Sequence, residues 1–343
     1  MDIDIRYDRE GGIYFLNGIR VLILPEGSLE LIQETIGKIL GLATKNIFQD
    51  TMSTITYSFI TDLINSKLIK RRAEEKMRDE IFDLFQNMGF GRTEELLSEP
   101  GVYSITVERG FNSRSPSIKS VNYCFQELGH LQGIYRAIFD RDASVEETKC
   151  KSTGSSEIDL FVVKVFGSKQ KYTYMPSKSV YPQKNLEKIE VMKTLSSVLI
   201  NSIPVEIIPA NYFPYLFSRL RSIIGLGLYG VETNIGLALA KLYFPFSFDV
   251  VSMKYQINGF ELVSPLTGAG KVNTIKTDMD YIKELDVRES FNALHIDSMS
   301  EKRCSMLSGL LSGLSYKLIG TSVKLKETDC SAINGSICKF SFE

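Results

Sequence analysis

The five cysteines of this chain fall on one pattern used twice: Cys124 and Cys150 are 26 residues apart, Cys304 and Cys330 are 26 apart, and the two pairs are offset by 180 residues. A glutamate stands three residues before the later cysteine each time, Glu147 and Glu327, and the second set continues to Cys338, eight residues on. Cys304, Glu327, Cys330 and Cys338 therefore make a four-ligand set. Zinc takes thiolate sulfur and carboxylate oxygen in a closed tetrahedron where its role is structural, and four protein ligands leave no position for a reacting water. Such a site organises a fold rather than performing hydrolysis. The charged residues Asp2, Asp4, Arg6, Asp8 and Arg9 stand where a secretory segment would need apolar ones. With an odd number of cysteines this argues against a disulfide framework and predicts a reducing, cytoplasmic setting. The plainer alternative is a set of packed thiols, since free cysteine is among the most buried residue types.

The duplication reaches beyond the cysteines. Cys124-Phe-Gln-Glu-Leu-Gly129-His-Leu-Gln-Gly133 matches Cys304-Ser-Met-Leu-Ser-Gly309-Leu-Leu-Ser-Gly313, with both glycines in register, and Glu-Thr-x-Cys recurs at Glu147 and Glu327. Val21-Leu-Ile-Leu-Pro25 corresponds to Val205-Glu-Ile-Ile-Pro209 at an offset of 184. At 343 residues the chain exceeds what one core usually serves. We expect two tandem repeats, 1–170 and 185–343, joined by a polar linker at 171–184 that contains Pro176 and Pro182.

A net charge of −1 and a pI near 6.3 leave no electrostatic footprint for nucleic acid or an anionic bilayer. The most apolar stretch, Ser222 to Phe248, is interrupted by Glu232, Asn234 and Lys241, and reads as a core helix rather than a membrane span.

Periodicity predicts an α+β fold in which each repeat packs an antiparallel sheet against a layer of helices. Gly12–Leu16 and Ile19–Leu24 flank Asn17-Gly18, a tight hairpin turn. Apolar spacing of three and four predicts helices over Ser28–Leu42, Thr51–Leu68 and Arg72–Met88, ending near Gly41 and Gly89. Strand Val102–Glu108, helix Ser117–Phe139 and strands Ser144–Thr148 and Leu160–Val165 close the first repeat. Helix Ser300–Leu318, strand Val323–Thr328, a turn at Asn334-Gly335 and strand Cys338–Phe342 close the second. In that arrangement Cys330 and Cys338 flank a hairpin turn, Glu327 comes from the strand, and Cys304 comes from the helix packed on it.

The segment from Glu289-Ser-Phe-Asn to Cys338-Lys-Phe-Ser-Phe, with Cys304, Gly309, Gly313 and Val-Lys-Leu-Lys-Glu327-Thr-Asp-Cys330, resembles the 4-vinyl-reductase domain. The likeness is specific over roughly the last 50 residues. Relatives of that domain include sensory domains of activators that respond to aromatic compounds, and its fold is related to TRAPP trafficking subunits and haem nitric-oxide-binding domains. The resemblance implies an antiparallel sheet against helices, a zinc on Cys304, Glu327, Cys330 and Cys338, and an apolar small-molecule pocket near it. The phenol-binding relatives use a histidine and a tryptophan, whereas this chain has no tryptophan.

The first repeat departs from the pattern, because ungapped spacing from Cys150 reaches Ile158 where the last thiolate should stand. A one-residue deletion brings Glu157 there instead, so Cys124, Glu147, Cys150 and Glu157 form a degenerate set whose second carboxylate softens zinc selectivity. Gly225-Leu-Gly227-Leu-Tyr-Gly230 matches a dinucleotide fingerprint, but Tyr215–Ile224 before it is helical in period, and the fingerprint needs a strand there. The basic cluster Lys67–Arg72 reads as a solvated helix face, and His130 and His295 as structural histidines.

Three functional classes follow. One is a sensor or ligand-binding module that holds a small hydrophobic molecule, for which 20 Phe and 16 Tyr provide lining, and that acts through a protein partner. Another is a non-catalytic scaffold, a pseudo-dimer within one chain or a homodimer. The third and weakest is a reductase-type enzyme, since the expected zinc is closed and no cofactor fingerprint stands.

Overall fold

The computed structural model describes residues 3–110, 124–153, 156, 158–169, 172, 174, 186–194, 197–200, 202–243, 260, 263–278, 281–291, 304–319, 321–334 and 337–343. Helices and antiparallel strands are mixed in an α+β arrangement.

The chain opens with antiparallel strands β1 (Ile5–Asp8), β2 (Ile13–Leu16) and β3 (Ile19–Pro25). Asn17 and Gly18 have φ of 50° and 84°, the paired positive values of a tight hairpin turn. Helix α1 (Ser28–Leu40) ends at Gly41, passes through one 3-10 turn and gives way to α2 (Thr44–Asn65). Then come α3 (Glu74–Asn87), β4 (Arg92–Glu99), β5 (Val102–Glu108), α4 (Phe125–Phe139), β6 (Asp142–Lys149) and β7 (Asp159–Phe166). A similar order returns. Strands β8 (Glu187–Lys188), β9 (Val191–Lys193), β10 (Val198–Ile200) and β11 (Ile203–Pro209) lead into α5 (Tyr212–Ile224), a 3-10 turn at Gly225–Gly227 and α6 (Leu228–Tyr243). Strands β12 (Lys271–Asp278) and β13 (Tyr281–Arg288), helix α7 (Ser305–Ile319), and strands β14 (Leu325–Asp329) and β15 (Ile337–Phe342) complete it. Gly41 and Gly225 break their helices with nearly the same backbone, φ 57° and 61° with ψ −133° in both.

The two runs share one sheet of order β8-β1-β2-β3-β11-β10-β9, joined at its centre by β3 and β11. Strand β3 is buried along its whole length, which suits the near-continuous apolar sequence of a strand covered on both faces. Two smaller sheets, β4-β5-β7-β6 and β12-β13-β15-β14, carry the cysteine groups. Helix α4 lies on β6 and β7 and packs on α2; α7 lies on β14 and packs on α6. The helices also cross between the runs, α1 on α6 and α5 on α2. A buried carboxylate reinforces this: Glu206 of β11 accepts the N–H groups of Gly27 and Leu29 at 3.0 and 3.2 Å, at the N-terminus of α1.

The paired glycines permit the helix contacts. A Cβ on Gly133 would stand 2.6 Å from the Ser53 carbonyl of α2, and one on Gly313 would stand 2.5 Å from Ala240 Cβ of α6.

Several expected boundaries shift. The second helix begins at Thr44 rather than Thr51, because Ile47 and Phe48 already face the core. Helix α4 starts at Phe125 with Cys124 as its cap, later than the expected Ser117, and α7 starts at Ser305 rather than Ser300; residues 111–123 and 292–303 lie outside the described residues. A short helix, Ser331–Asn334, replaces the expected turn at Asn334. The apolar stretch from Ser222 is not one core helix, since Gly225 divides it; residues 244–248 and Asp249 lie outside the described residues. The helical run Tyr212–Tyr243 is apolar and long enough to cross a membrane by length and composition, and 39% of its qualifying 18-residue window is buried. Lys67–Arg72 forms a connection rather than a helix face, its basic residues exposed and Ile69 buried in the core, with Arg71 paired to Asp140 at 3.0 Å and Arg72 to Glu80. Of the fingerprint-like glycines, Gly225 and Gly227 form the turn between two helices and Gly230 lies in the first turn of α6, with α5 rather than a strand before them. Pro176 and Pro182 fall outside the described residues.

Candidate metal centre

Both cysteine groups occupy the same junction of helix and sheet. Cys304 directly precedes α7, its carbonyl accepting the Ser308 N–H at 2.8 Å; Cys124 caps α4, its carbonyl accepting the Leu128 N–H at 2.9 Å. The N-terminal end of a helix favours negative charge, and hence a thiolate.

The Glu-Thr-x-Cys motif folds as a β-bulge. Glu327 pairs with Phe340 and Asp329 with Lys339, which leaves Thr328 as the extra residue; Glu147 pairs with Phe161 and Lys149 with Leu160, which leaves Thr148. Each extra threonine donates its hydroxyl to the carbonyl across the bulge, Thr328 to Lys339 at 3.3 Å and Thr148 to Leu160 at 3.1 Å. Residues three apart on a regular strand point to opposite faces. The inserted residue restores one face to the glutamate and the cysteine that follows the strand.

Cys304, Glu327, Cys330 and Cys338 are all buried and offer ligand atoms within 4.8 Å of one another. Cys304 Sγ and Cys338 Sγ stand 3.1 Å apart. That is well beyond a disulfide bond of about 2.05 Å. It is somewhat inside the ~3.8 Å edge of a tetrahedron with zinc–sulfur bonds near 2.3 Å. Glu327 Oε2 accepts the Cys304 N–H at 3.0 Å. Ser331 supplies its N–H and hydroxyl to Cys338 Sγ at 3.3 and 3.1 Å, and Ser290 Oγ lies 3.3 Å from Cys304 Sγ. Burial pushes the Glu327 carboxyl up to about 8. Hydrogen bonding with the Cys304 and Cys330 thiols draws Cys338 down to about 4, while burial pushes Cys304 well up. Three sulfurs and one oxygen, closed off from solvent, have the chemistry of a four-coordinate metal site. The two serines escape sequence reasoning: Ser331 adjoins a ligand, but no spacing points to Ser290.

In the first half the strand register gives a fourth position of its own. Glu147 opposes Phe161 as Glu327 opposes Phe340, so Asp159, two residues before Phe161, takes the place of Cys338. Cys124, Glu147, Cys150 and Asp159 bring their ligand atoms within 4.8 Å of one another. Glu157, the residue expected there, lies outside the described residues, and Ile158 is exposed. The available signal was the shared phenylalanine: aligning Phe161 with Phe340 calls for one inserted residue, where aligning Gly154 with Gly335 calls for a deletion. Cys124 Sγ and Cys150 Sγ are 3.6 Å apart. That hydrogen bond and burial push Cys124 up, and burial pushes Glu147 up to about 8.

His130 is buried and belongs to neither cysteine group, its ring centroid 4.2 and 4.9 Å from those of Phe85 and Phe90, with Nδ1 3.1 Å from Thr56 Oγ1. His295 lies outside the described residues. A cleft of about 90 Å³ is lined among others by Gln86, Arg92, Glu108, Arg109, Lys193 and Ser197, and none of its lining residues belongs to either cysteine group.

No family model matches the chain, and no curated protein matches it. Among solved structures, it is similar to the phenol-responsive sensory domain of the transcription activator PoxR with phenol, at 18% identity and TM-score 0.39, over 45% of this chain and 80% of that one. It is also similar to a trafficking protein particle complex subunit 3 from Naegleria fowleri covalently bound to palmitic acid, at 13% identity and TM-score 0.34, over 42% of this chain and 98% of that one.

Proposed function

We propose that this chain is a tandem 4-vinyl-reductase-like protein, with repeats at 1–170 and 185–343 joined by a linker at 171–184. In this reading a structural zinc on Cys304, Glu327, Cys330 and Cys338 braces the second repeat, and the protein binds a small apolar molecule and acts through a protein partner in the cytoplasm. The observation that carries the reading is the buried group of three thiols and a carboxylate, with ligand atoms within 4.8 Å. Thiolate-rich sets of that kind select zinc over harder divalent ions. All five cysteines are free, which fits a reducing compartment.

A scaffold is the second reading, favoured by the crossed packing of α1 on α6 and α5 on α2, which makes an internal pseudo-dimer. Native mass spectrometry of the full chain with elemental analysis separates the two. Zinc that disappears with Cys330→Ser, together with a small-molecule adduct, is expected of a sensor. The same zinc with no adduct moves the reading to the scaffold. A chain that purifies without zinc and does not take it up overturns the metal-braced reading itself.

A further inference from the structure

We propose that the first half holds a second divalent cation, bound by Cys124, Glu147, Cys150 and Asp159 as two thiolates and two carboxylates. Strand register equates Asp159 with Cys338, so the carboxylate replaces a thiolate at the same corner of the same bulged hairpin. Cys124 and Asp159 are fully buried, and Cys150 is 2% exposed. The 3.6 Å between the two sulfurs is close to the ~3.8 Å edge of a zinc tetrahedron. The Lys151 N–H holds Asp159 Oδ1 at 2.7 Å, the kind of outer bond that fixes a metal-ligating carboxylate.

Charge gives the reason for a cation. Groups that ionise to thiolates and carboxylates are costly together in an interior unless an opposite charge accompanies them. With all four ionised, the set carries the same formal charge as the one in the second half, so a divalent ion offsets both equally. The difference lies in softness. Exchanging one thiolate for a carboxylate reduces the preference for zinc and admits cobalt, manganese or iron(II) more readily. The two sites of one chain should therefore differ in metal preference and in resistance to a chelator, and this inference does not depend on which ion the second half takes.

The test is metal counting on the full-length protein loaded with Zn²⁺ or Co²⁺ and then titrated with a chelator. Two cations per chain are expected, one released before the other; Asp159→Asn removes the early one, and Cys330→Ser the late one. One cation per chain that is lost with Cys330→Ser and untouched by Asp159→Asn overturns the proposal and leaves the second-half site standing. If Asp159→Asn fails to fold, Asp159→Cys keeps a ligand in place. With two cobalt ions bound it should add thiolate-to-cobalt absorption and delay the early release, and an unchanged spectrum with a single cobalt overturns the proposal equally.

Discussion

Ile23 and Ile207 face each other across β3 and β11, and each is the other's counterpart at the 184-residue offset of the duplication. A residue paired with its own duplicate marks a pseudo-twofold axis, and the register runs outward from it as Leu22 with Ile208 and Leu24 with Glu206. The halves thus meet as the subunits of an isologous dimer do. Each half's first helix packs on the second helix of the other, so neither core is complete alone. Thermal or urea unfolding should follow one cooperative transition. Ile207→Ala, at a fully buried position, should move that whole transition by about 2–5 kcal/mol. Two resolved transitions, only one of them shifted, would refute the interlocked arrangement.

The glycine pairs allow a contrast inside one helix pair. At Gly309 on α7 an added Cβ runs into the Thr233 carbonyl of α6, whereas at Gly230 on α6 it meets nothing within 4 Å. Gly309→Ala should destabilise by about 1–3 kcal/mol through overpacking. Gly230→Ala should stabilise by up to about 1 kcal/mol through helix propensity. Equal effects of the two substitutions on the urea midpoint would show that α6 and α7 are not in close contact.

Removing a ligand tests the second-half site energetically. Metal binding to a structural site is coupled to folding, so Cys330→Ser should destabilise by several kcal/mol and abolish the stabilisation that added zinc gives. Thr328→Val, which removes the hydroxyl across the bulge, should cost about 1 kcal/mol and leave zinc bound, though more weakly. Unchanged melting of Cys330→Ser with and without zinc would defeat the metal assignment.

Local signals carried the parts of this fold that depend on backbone chemistry. Asn17-Gly18 demanded a hairpin, and Gly41 and Gly89 ended helices with φ of 57° and 90°. Strands at and next to the sheet edges were harder to read. In β4, Arg-Thr-Glu-Glu-Leu-Leu-Ser-Glu is rich in helix-forming residues, and only pairing with β5 holds it extended. In β1, Ile5 and Tyr7 are buried between charged neighbours, an alternation that looks like a charged tail until β2 and β8 flank it. Cysteine and glutamate spacing gave all four corners of the second cysteine group and three of the first. The fourth corner of the first half depends on register across a bulge, which a count of residues between cysteines does not contain. The crossing of helices between halves is a long-range outcome with no local trace at all.

His130 provides a pH probe that belongs to neither cysteine group. Its ring lies against Phe85, Phe90 and Thr56, and burial lowers its pKa from 6.5 to about 3. The native state therefore keeps the imidazole neutral while the unfolded chain takes up a proton below pH ~6.5. The contribution is fully present above that value and is lost as pH falls toward 3, at about 1.4 kcal/mol per pH unit. Between pH 6.5 and 5 the loss should approach about 2 kcal/mol. The duplicate position carries Leu310, so His130→Leu is the natural comparison. It leaves Thr56 without its imidazole partner, which shifts stability at every pH but does not change the slope. Urea midpoints of the two proteins from pH 7.5 to 5 should diverge, with the wild type losing the additional stability. Parallel curves would mean that the His130 site admits water or a counter-charge and that the aromatic enclosure does not hold in solution.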